Sequence, residues 1–150
     1  MHQTYRGWRR YMLAGLLILP ALIYVLYLPD APAEPIGAPC HTLDGDTIRC
    51  GDERIRLLGI DAPELPGHCR AGRKCAPGDP VASTDHLRAL VRMRPLTIRR
   101  TGQDRYGRTL AAVYAGSVNL SCRQIELGYA VYIRKWDNGG IVRKDCPAVR

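Results

Sequence analysis

The sequence CHTLDGDTIRCGDERIRLLGIDAPE, residues 40–64, carries the strongest structural signals in the chain. Its runs Cys40–Leu43 and Thr47–Cys50 flank Asp44-Gly45, a dipeptide typical of a tight β-hairpin turn. A second Gly-Asp turn follows, and then Arg54–Ile60, which is rich in Ile and Leu. The stretch therefore predicts three consecutive short strands.

The chain after residue 64 predicts two helices among further strands. Asp79-Pro80 is a helix start, with a cap and Pro at the first position, and this helix should run to about Met93. Asn119 should cap a short second helix that ends at Gly128. The remaining strands are predicted at Leu96–Arg100, Thr109–Tyr114 and Tyr129–Ile133. We expect an α+β domain, mainly β: a five-stranded OB-fold barrel with two short helices, although the pattern also permits other α+β layouts.

Composition excludes several protein classes. The chain has 150 residues, of which 46% are hydrophobic and 24% charged, so a disordered protein is excluded. Heptads and a Gly-X-Y period are absent from the sequence, which excludes a coiled coil and collagen. The net charge of +8 favours an anionic partner, either a nucleic acid or a membrane surface.

The N-terminal segment predicts export. Residues 11–28 contain no charged residue and follow Arg6, Arg9 and Arg10, so residues 1–28 form a signal anchor or a signal peptide. A cleavage-like Ala31-Pro32-Ala33 keeps the secreted alternative open, and an uncleaved hydrophobic helix is favoured. A Pro-rich linker at residues 29–37 and one domain at residues 38–150 complete the predicted organisation. The expected location is extracytoplasmic, periplasmic or secreted, with anchoring by residues 11–28.

The cysteines predict disulfides. An even count of six in a small exported domain is typical of a disulfide framework with 15 formal connectivities. Local spacing suggests Cys40–Cys50, Cys69–Cys75 and Cys122–Cys146. A zinc site formed by His68, Cys69 and Cys75 is the alternative for the middle pair, which lies in a basic loop.

Acidic residues cluster around the first hairpin and the end of the third strand. If these strands pair, Asp46 and Asp61 could converge at one rim, where carboxylate oxygens would suit Ca²⁺. Turn chemistry alone also accounts for each Asp.

Two arginines could form a clamp for a phosphoryl group: Arg56, inside the apolar third strand, and Arg108. The alternative is that both are surface arginines. Strict alternation places Arg56 and Asp61 on opposite faces, so the strand must end or bulge near Gly59 if both serve one site.

Three motifs taken together resemble the staphylococcal nuclease (thermonuclease) family. They are residues 44–48 (DGDTI), 56–64 (RLLGIDAPE) and 104–111 (DRYGRTLA), and the resemblance covers roughly residues 38–133. The resemblance implies a five-stranded OB barrel with helices. It also implies that Asp46 and Asp61 bind Ca²⁺ through their carboxylates and that Ala62 binds it through its backbone carbonyl.

The resemblance also implies roles for the remaining motif residues. Glu64 matches the general base, and Asp44 a carboxylate that shapes the loop and adds negative charge. Arg56 and Arg108 match two phosphate-clamping arginines, and Tyr106 a residue near the terminal phosphate of the substrate. The family's long C-terminal helix is not expected, because the turn-rich segment 136–140 would interrupt it.

The implied activity is Ca²⁺-dependent hydrolysis of DNA and RNA, with single strands favoured, little sequence specificity and 3′-phosphate products. An inactive OB-fold nucleic-acid-binding module is the main alternative, and a membrane-anchored protein that binds anionic lipid is another. No protein partner is implied.

Two questions about individual residues stay open. Tyr129 and Tyr132 could stack on bases or pack in the barrel. The loop residues His68, Arg70, Arg73 and Lys74 could lie at the substrate groove or in solvent.

Overall fold

A computed structural model describes residues 32–149. The predicted hydrophobic helix within residues 1–28 lies outside this range, so anchoring and signal cleavage stay predictions. Among the helices between residues 32 and 149, none has the length and apolar character needed to cross a membrane.

The described residues contain nine strands and three α-helices. The strands are β1 (Glu34–Pro35), β2 (Cys40–Asp44), β3 (Thr47–Cys50), β4 (Glu53–Leu57), β5 (Ile60–Asp61), β6 (Leu96–Gln103), β7 (Thr109–Ala115), β8 (Val118–Asn119) and β9 (Val131–Tyr132). The helices are α1 (Pro80–Arg92), α2 (Leu120–Glu126) and α3 (Ile141–Asp145).

The strands form one main sheet and one small pair. The main sheet has the order β1-β6-β7-β4-β3-β2, and β8 also pairs with β7. Only β4 and β7 pair in parallel among the described strands, and β5 pairs with β9 as a separate ribbon. The α+β class, mainly β, agrees with the prediction. The described strands do not close into the predicted five-stranded barrel, because the end strands of the main sheet, β1 and β2, do not pair with each other. The numbers of strands and helices also differ from the prediction, because β1, β8 and α3 are too short to show a periodicity in the sequence.

The β2–β3 hairpin forms around Asp44-Gly45 as predicted. Cys40 faces Cys50 in the register and Asp44 faces Thr47, with a bulge between Thr42 and Asp44. The structure contains all three suggested disulfides, with Cα–Cα separations of 4.0 Å for Cys40–Cys50, 6.0 Å for Cys69–Cys75 and 5.4 Å for Cys122–Cys146. The zinc alternative is wrong, because the disulfide leaves no thiolate in the middle pair.

The third predicted strand is interrupted at Gly59, the position at which a break was predicted if Arg56 and Asp61 serve one site. β4 ends at Leu57, Gly59 adopts φ of +69°, and β5 begins at Ile60. A side chain at Gly59 would be strained at this φ, and its Cβ would lie 3.1 Å from Val142 Cγ2. Gly59 also accepts a hydrogen bond from the Ile133 amide and donates one to the Trp136 carbonyl. The break therefore ties the strand end to the C-terminal segment.

The helices contribute to two apolar clusters. Asp79 caps α1 by accepting from the amides of Val81 and Ala82, as its sequence predicts. α1 buries Leu87 and Leu90 against the main core. A smaller apolar cluster contains Leu58, Ile141, Val142 and the Cys122–Cys146 disulfide. The tail is thus fastened by a short α3 and a disulfide, without a long helix in the described residues.

Candidate active site

An open groove of about 730 Å³ lies where the β2–β3 turn, the end of β4 and three loops meet. The loops are the segment after β5, the turn between β6 and β7, and the segment after β9. Eight residues were predicted to form the site. Seven of them line this groove: Asp44, Asp46, Arg56, Ala62, Glu64, Tyr106 and Arg108. The eighth, Asp61, contacts two arginines of the groove wall, Arg56 and Arg73.

Asp46 and Asp61 are buried carboxylates, 7% and 4% exposed. Asp46 accepts hydrogen bonds from the Thr47 hydroxyl at 3.0 Å and from the Ala62 amide at 3.0 Å. The second of these bonds joins the hairpin to the segment after β5. Asp44, which is exposed, accepts from the Asp46 amide at 3.1 Å and shapes the turn. The fold therefore brings the two predicted cation ligands to one rim.

Arg56 joins these two carboxylates. Its guanidinium forms an ion pair with Asp46, lies 3.5 Å from Asp61 Oδ1 and donates to the Ile60 carbonyl at 3.1 Å. Burial, with a smaller contribution from neighbouring Arg108, lowers the pKa of Arg56 to about 10. The guanidinium is still charged at neutral pH, and its fixed position suits an anion in the groove.

Arg108 is oriented by its own turn. Asp104 Oδ2 accepts from Arg108 Nε at 2.8 Å, while Oδ1 accepts from the amides of Tyr106 and Arg108. Burial would raise the pKa of Asp104, but these hydrogen bonds bring it below its ordinary value. Asp104 thus remains ionised and orients Arg108 toward the groove. Asp104 belongs to the motif at residues 104–111, but the sequence analysis assigned it no positioning role.

Glu64 and Tyr106 both line the groove and come from different loops. Glu64 is partly exposed, so water can reach its carboxylate. Tyr106 is exposed, and the Arg108 guanidinium lies 5.6 Å from the centre of its ring.

Tyr129 and Tyr132, in contrast, do not belong to the groove lining in residues 32–149. Tyr129 stacks on His86 with ring centres 4.4 Å apart, and the Tyr132 hydroxyl donates to Asp137. Their packing role is thus favoured over base stacking.

Gln124 supports the site from the core, and sequence patterns did not identify it. Its side chain is fully buried, and its amide donates to the Gly45 carbonyl at 2.7 Å and the Ser83 carbonyl at 3.1 Å. Gly45 lies between the two turn aspartates. A Cβ at Gly45 would lie 2.1 Å from Ser83 Oγ and 2.7 Å from the Ala62 side chain. Only glycine therefore lets α1 approach this turn.

The chemistry of the donors fits a hard cation. Within residues 32–149, no three His, Cys, Asp or Glu side chains are already grouped as metal ligands. The available donors are carboxylate oxygens and a backbone carbonyl, which Ca²⁺ prefers over the nitrogen and sulfur ligands of zinc. Three of these carboxylates, Asp46, Asp61 and Glu64, form ion pairs with Arg56 or Arg73.

Comparison with known proteins identifies the family. The family profile described as staphylococcal nuclease homologue matches residues 54–145. The chain belongs to the staphylococcal nuclease homologue family. The profile covers Arg56, Asp61, Glu64 and Arg108, while Asp44 and Asp46 precede its first matched residue. The family's fold is OB-like, which agrees with the mixed sheet described above.

Individual relatives of this nuclease family agree. A protein of Escherichia coli O157:H7 with the name "Uncharacterized endonuclease" is 37% identical over 117 residues, which cover 75% of this chain and 70% of that protein. The "Thermonuclease" of Staphylococcus intermedius is 34% identical over 133 residues, covering 77% of each chain. The "Succinoglycan biosynthesis protein ExoI" of Rhizobium meliloti is 35% identical over 114 residues, covering 73% of this chain and 58% of that protein. Similarity thus extends well beyond the three motifs.

Proposed function

We propose that this chain is a Ca²⁺-dependent nuclease that hydrolyses phosphodiester bonds of DNA and RNA with little sequence specificity. The observation that carries the proposal is the buried cluster of Asp46, Asp61 and Arg56, which shares one groove with Glu64 and Arg108. Two carboxylates and two arginines around one groove can hold a cation and an anionic phosphate side by side. Membership of a nuclease family supports the same reaction.

The cation would be held by the carboxylates of Asp46 and Asp61 and by the carbonyl of Ala62. When bound, Ca²⁺ would offset negative charge on the phosphate and help to orient water. Asp46 and Asp61 are buried and already pair with arginines, so positive charge beside them is part of the folded site. Their oxygens at one rim of the groove, of the kind that Ca²⁺ prefers, are what supports a cation there.

The side chains supply the remaining steps. Glu64 accepts a proton from the attacking water, whose oxygen forms a new bond to phosphorus. The bond from phosphorus to the 5′ oxygen breaks, the leaving oxygen takes up a proton, and the products carry a 3′-phosphate and a 5′-hydroxyl. Arg56 and Arg108 donate to the phosphate oxygens, whose negative charge grows in the transition state.

The substrate and location follow from charge and from the sequence. The net charge of +8 favours a polyanion, and the groove is walled on one side by exposed Tyr106, which suits an unpaired strand. Single-stranded DNA and RNA are therefore the expected substrates. The three disulfides support an extracytoplasmic site of action, with residues 11–28 as the expected membrane anchor.

A cleavage assay on the full chain, purified with its disulfides intact, tests the proposal. Single-stranded DNA and RNA should be cut with Ca²⁺ and remain intact with EDTA. Arg56→Ala and Glu64→Gln should each lower the rate about 10²–10³-fold, as expected for a preorganised catalytic group. Arg88→Ala is the matched control, because Arg88 pairs with Asp85 on the exposed face of α1 and does not line the groove. Nucleic-acid binding without any cleavage by the wild type would instead favour the inactive binding module.

A further inference from the structure

The loop between β5 and α1 carries two arginines that the mechanism above does not use. The Cys69–Cys75 disulfide closes this loop, and Arg70 and Arg73 both line the groove. A short closed loop has few conformations available, so its side chains are partly preorganised. Residues 65–74 are exposed, yet Arg70 and Arg73 line the groove, so the loop forms part of the groove wall.

Arg73 bridges the two carboxylates on which the proposed mechanism depends. Its Nη2 lies 2.5 Å from Asp61 Oδ1, and its Nη1 lies 3.3 Å from Glu64 Oε1. The hydrogen bond to Asp61 is the main reason that the pKa of Arg73 is raised above its ordinary value. One guanidinium thus engages both a proposed cation ligand and the proposed general base.

The same loop also contacts the turn between β6 and β7. Arg70 Nη1 donates to the Tyr106 hydroxyl at 3.1 Å, and its guanidinium lies 5.9 Å from the centre of that ring. The Arg73 amide donates to the Arg70 carbonyl at 3.0 Å, so a turn within the loop separates the two side chains. The loop therefore places one arginine beside Tyr106 and another beside Asp61 and Glu64.

Arg73 competes with the partners that the proposed mechanism assigns to these two carboxylates. It occupies Asp61 Oδ1, an oxygen that could bind a cation, and Glu64 Oε1, an oxygen that could accept the proton. Arg73 is the arginine that can move, because its side chain is 36% exposed and lies on a loop. Arg56 is 11% exposed and is fixed to the backbone of Ile60.

We propose that Arg73 is an internal cation that neutralises Asp61 and Glu64 in the metal-free protein, and that it moves to a substrate phosphate once a divalent cation takes its place. Arg73 would then be a third phosphate-binding arginine, held near the groove by the Cys69–Cys75 loop. This inference rests on the proposed function. It adds that cation binding and substrate binding are linked through one side chain.

Ca²⁺ binding to the full chain without nucleic acid tests the first half. Titration calorimetry should show that Arg73→Ala binds Ca²⁺ about fivefold more tightly than the wild type, because a competing partly exposed ion pair has been removed. Lys74→Ala is the matched control, since it removes the same charge from an exposed neighbour in the same loop. Arg73→Lys keeps the charge and should fall between the wild type and Arg73→Ala. Equal or weaker Ca²⁺ binding by Arg73→Ala than by Lys74→Ala overturns the internal-cation role.

Steady-state cleavage of single-stranded DNA at saturating Ca²⁺ tests the second half. Arg73→Ala should raise KM about tenfold and change kcat less than KM, since one charge-assisted phosphate contact is lost. An unchanged KM overturns the phosphate-binding role. The two proposals fail separately. Wild-type protein that binds Ca²⁺ but cuts nothing contradicts the nuclease function, whereas an active wild type whose Ca²⁺ affinity is insensitive to Arg73→Ala contradicts only the exchange.

Discussion

Removing the Gln124 amide should damage stability and the cation site together. Gln124 is the buried link between α2 and the turn that carries Asp44 and Asp46, through its bond to the Gly45 carbonyl. Gln124→Leu leaves that carbonyl and the Ser83 carbonyl without this donor, and it removes the partner of His86 Nδ1, which lies 2.5 Å from Gln124 Oε1. The substitution keeps a side chain of similar length, so cavity formation contributes little.

The size of the effect follows from the hydrogen bonds lost. A buried polar group left unsatisfied costs about 1–3 kcal/mol, so two or three affected groups should lower the free energy of unfolding by about 2–4 kcal/mol after the gain from burying Leu. The Gly45 turn would also lose its anchor, and outer-shell losses of this kind weaken metal binding about 10–100-fold. Weaker Ca²⁺ binding is thus expected from a residue that cannot itself touch the cation.

Two measurements on the full chain with intact disulfides test this. Urea denaturation gives the unfolding free energy, and calorimetric titration gives the Ca²⁺ affinity. Gln103→Leu is the matched control, because Gln103 is exposed at the end of β6. If Gln124→Leu loses less than about 1 kcal/mol, which is the net value of one ordinary hydrogen bond, and binds Ca²⁺ like the control, the supporting role is wrong.

Three further predictions concern the turn, the sheet and the loop. Asp104→Ala should raise KM for single-stranded DNA about tenfold in steady-state assays, because Arg108 loses the carboxylate that orients it, whereas Asp85→Ala should not. Arg100 hydrogen bonds lower the pKa of Glu53, so this pair stabilises the fold above the unfolded carboxyl pKa and the stabilisation is lost as the pH falls through the lower folded value. Urea melts from pH 7 to pH 3 should therefore show a steeper loss for wild type than for Glu53→Gln, by up to about 1 kcal/mol. Replacing Cys69 and Cys75 with Ser should raise KM for single-stranded DNA. It should lower the unfolding free energy by less than replacing Cys122 and Cys146 with Ser, because the Cys122–Cys146 disulfide closes the longer loop.

Local sequence signals predicted much of the fold. The hairpin at Asp44-Gly45, the helix caps Asp79 and Asn119, and the strand break near Gly59 all depend on a few neighbouring residues, so their physics is visible in a short stretch. The disulfide pairs were also predicted from short spacing. The two-residue strands β1 and β8 were not predicted, because a two-residue ladder is created by its partner strand and not by its own alternation. The two-residue strand β9 does lie within the strand predicted at Tyr129–Ile133.

Long-range contacts account for what the sequence did not reveal at the site. Gln124 reaches Gly45 across 79 positions, and its helix of seven residues is too short to mark it as special. Arg73 lies in an irregular loop whose path is set by a disulfide and by Asp61, so periodicity could not place it at the groove. The two interpretations of that loop each hold for part of it: Arg70 and Arg73 line the groove, whereas His68 and Lys74 are exposed and do not belong to the groove lining.

Trp136 gives the groove an optical reporter. Its ring lies 5.6 Å from the Arg56 guanidinium and 5.7 Å from that of Arg73, and the sequence contains one other tryptophan, Trp8. An indole is sensitive to charges that approach or leave its face. In a Trp8→Phe background, departure of Arg73 from its carboxylates should therefore change the emission of a single tryptophan, excited selectively over the eight tyrosines. Rapid mixing could then follow the rearrangement in time, before any bond in a nucleic acid is cut.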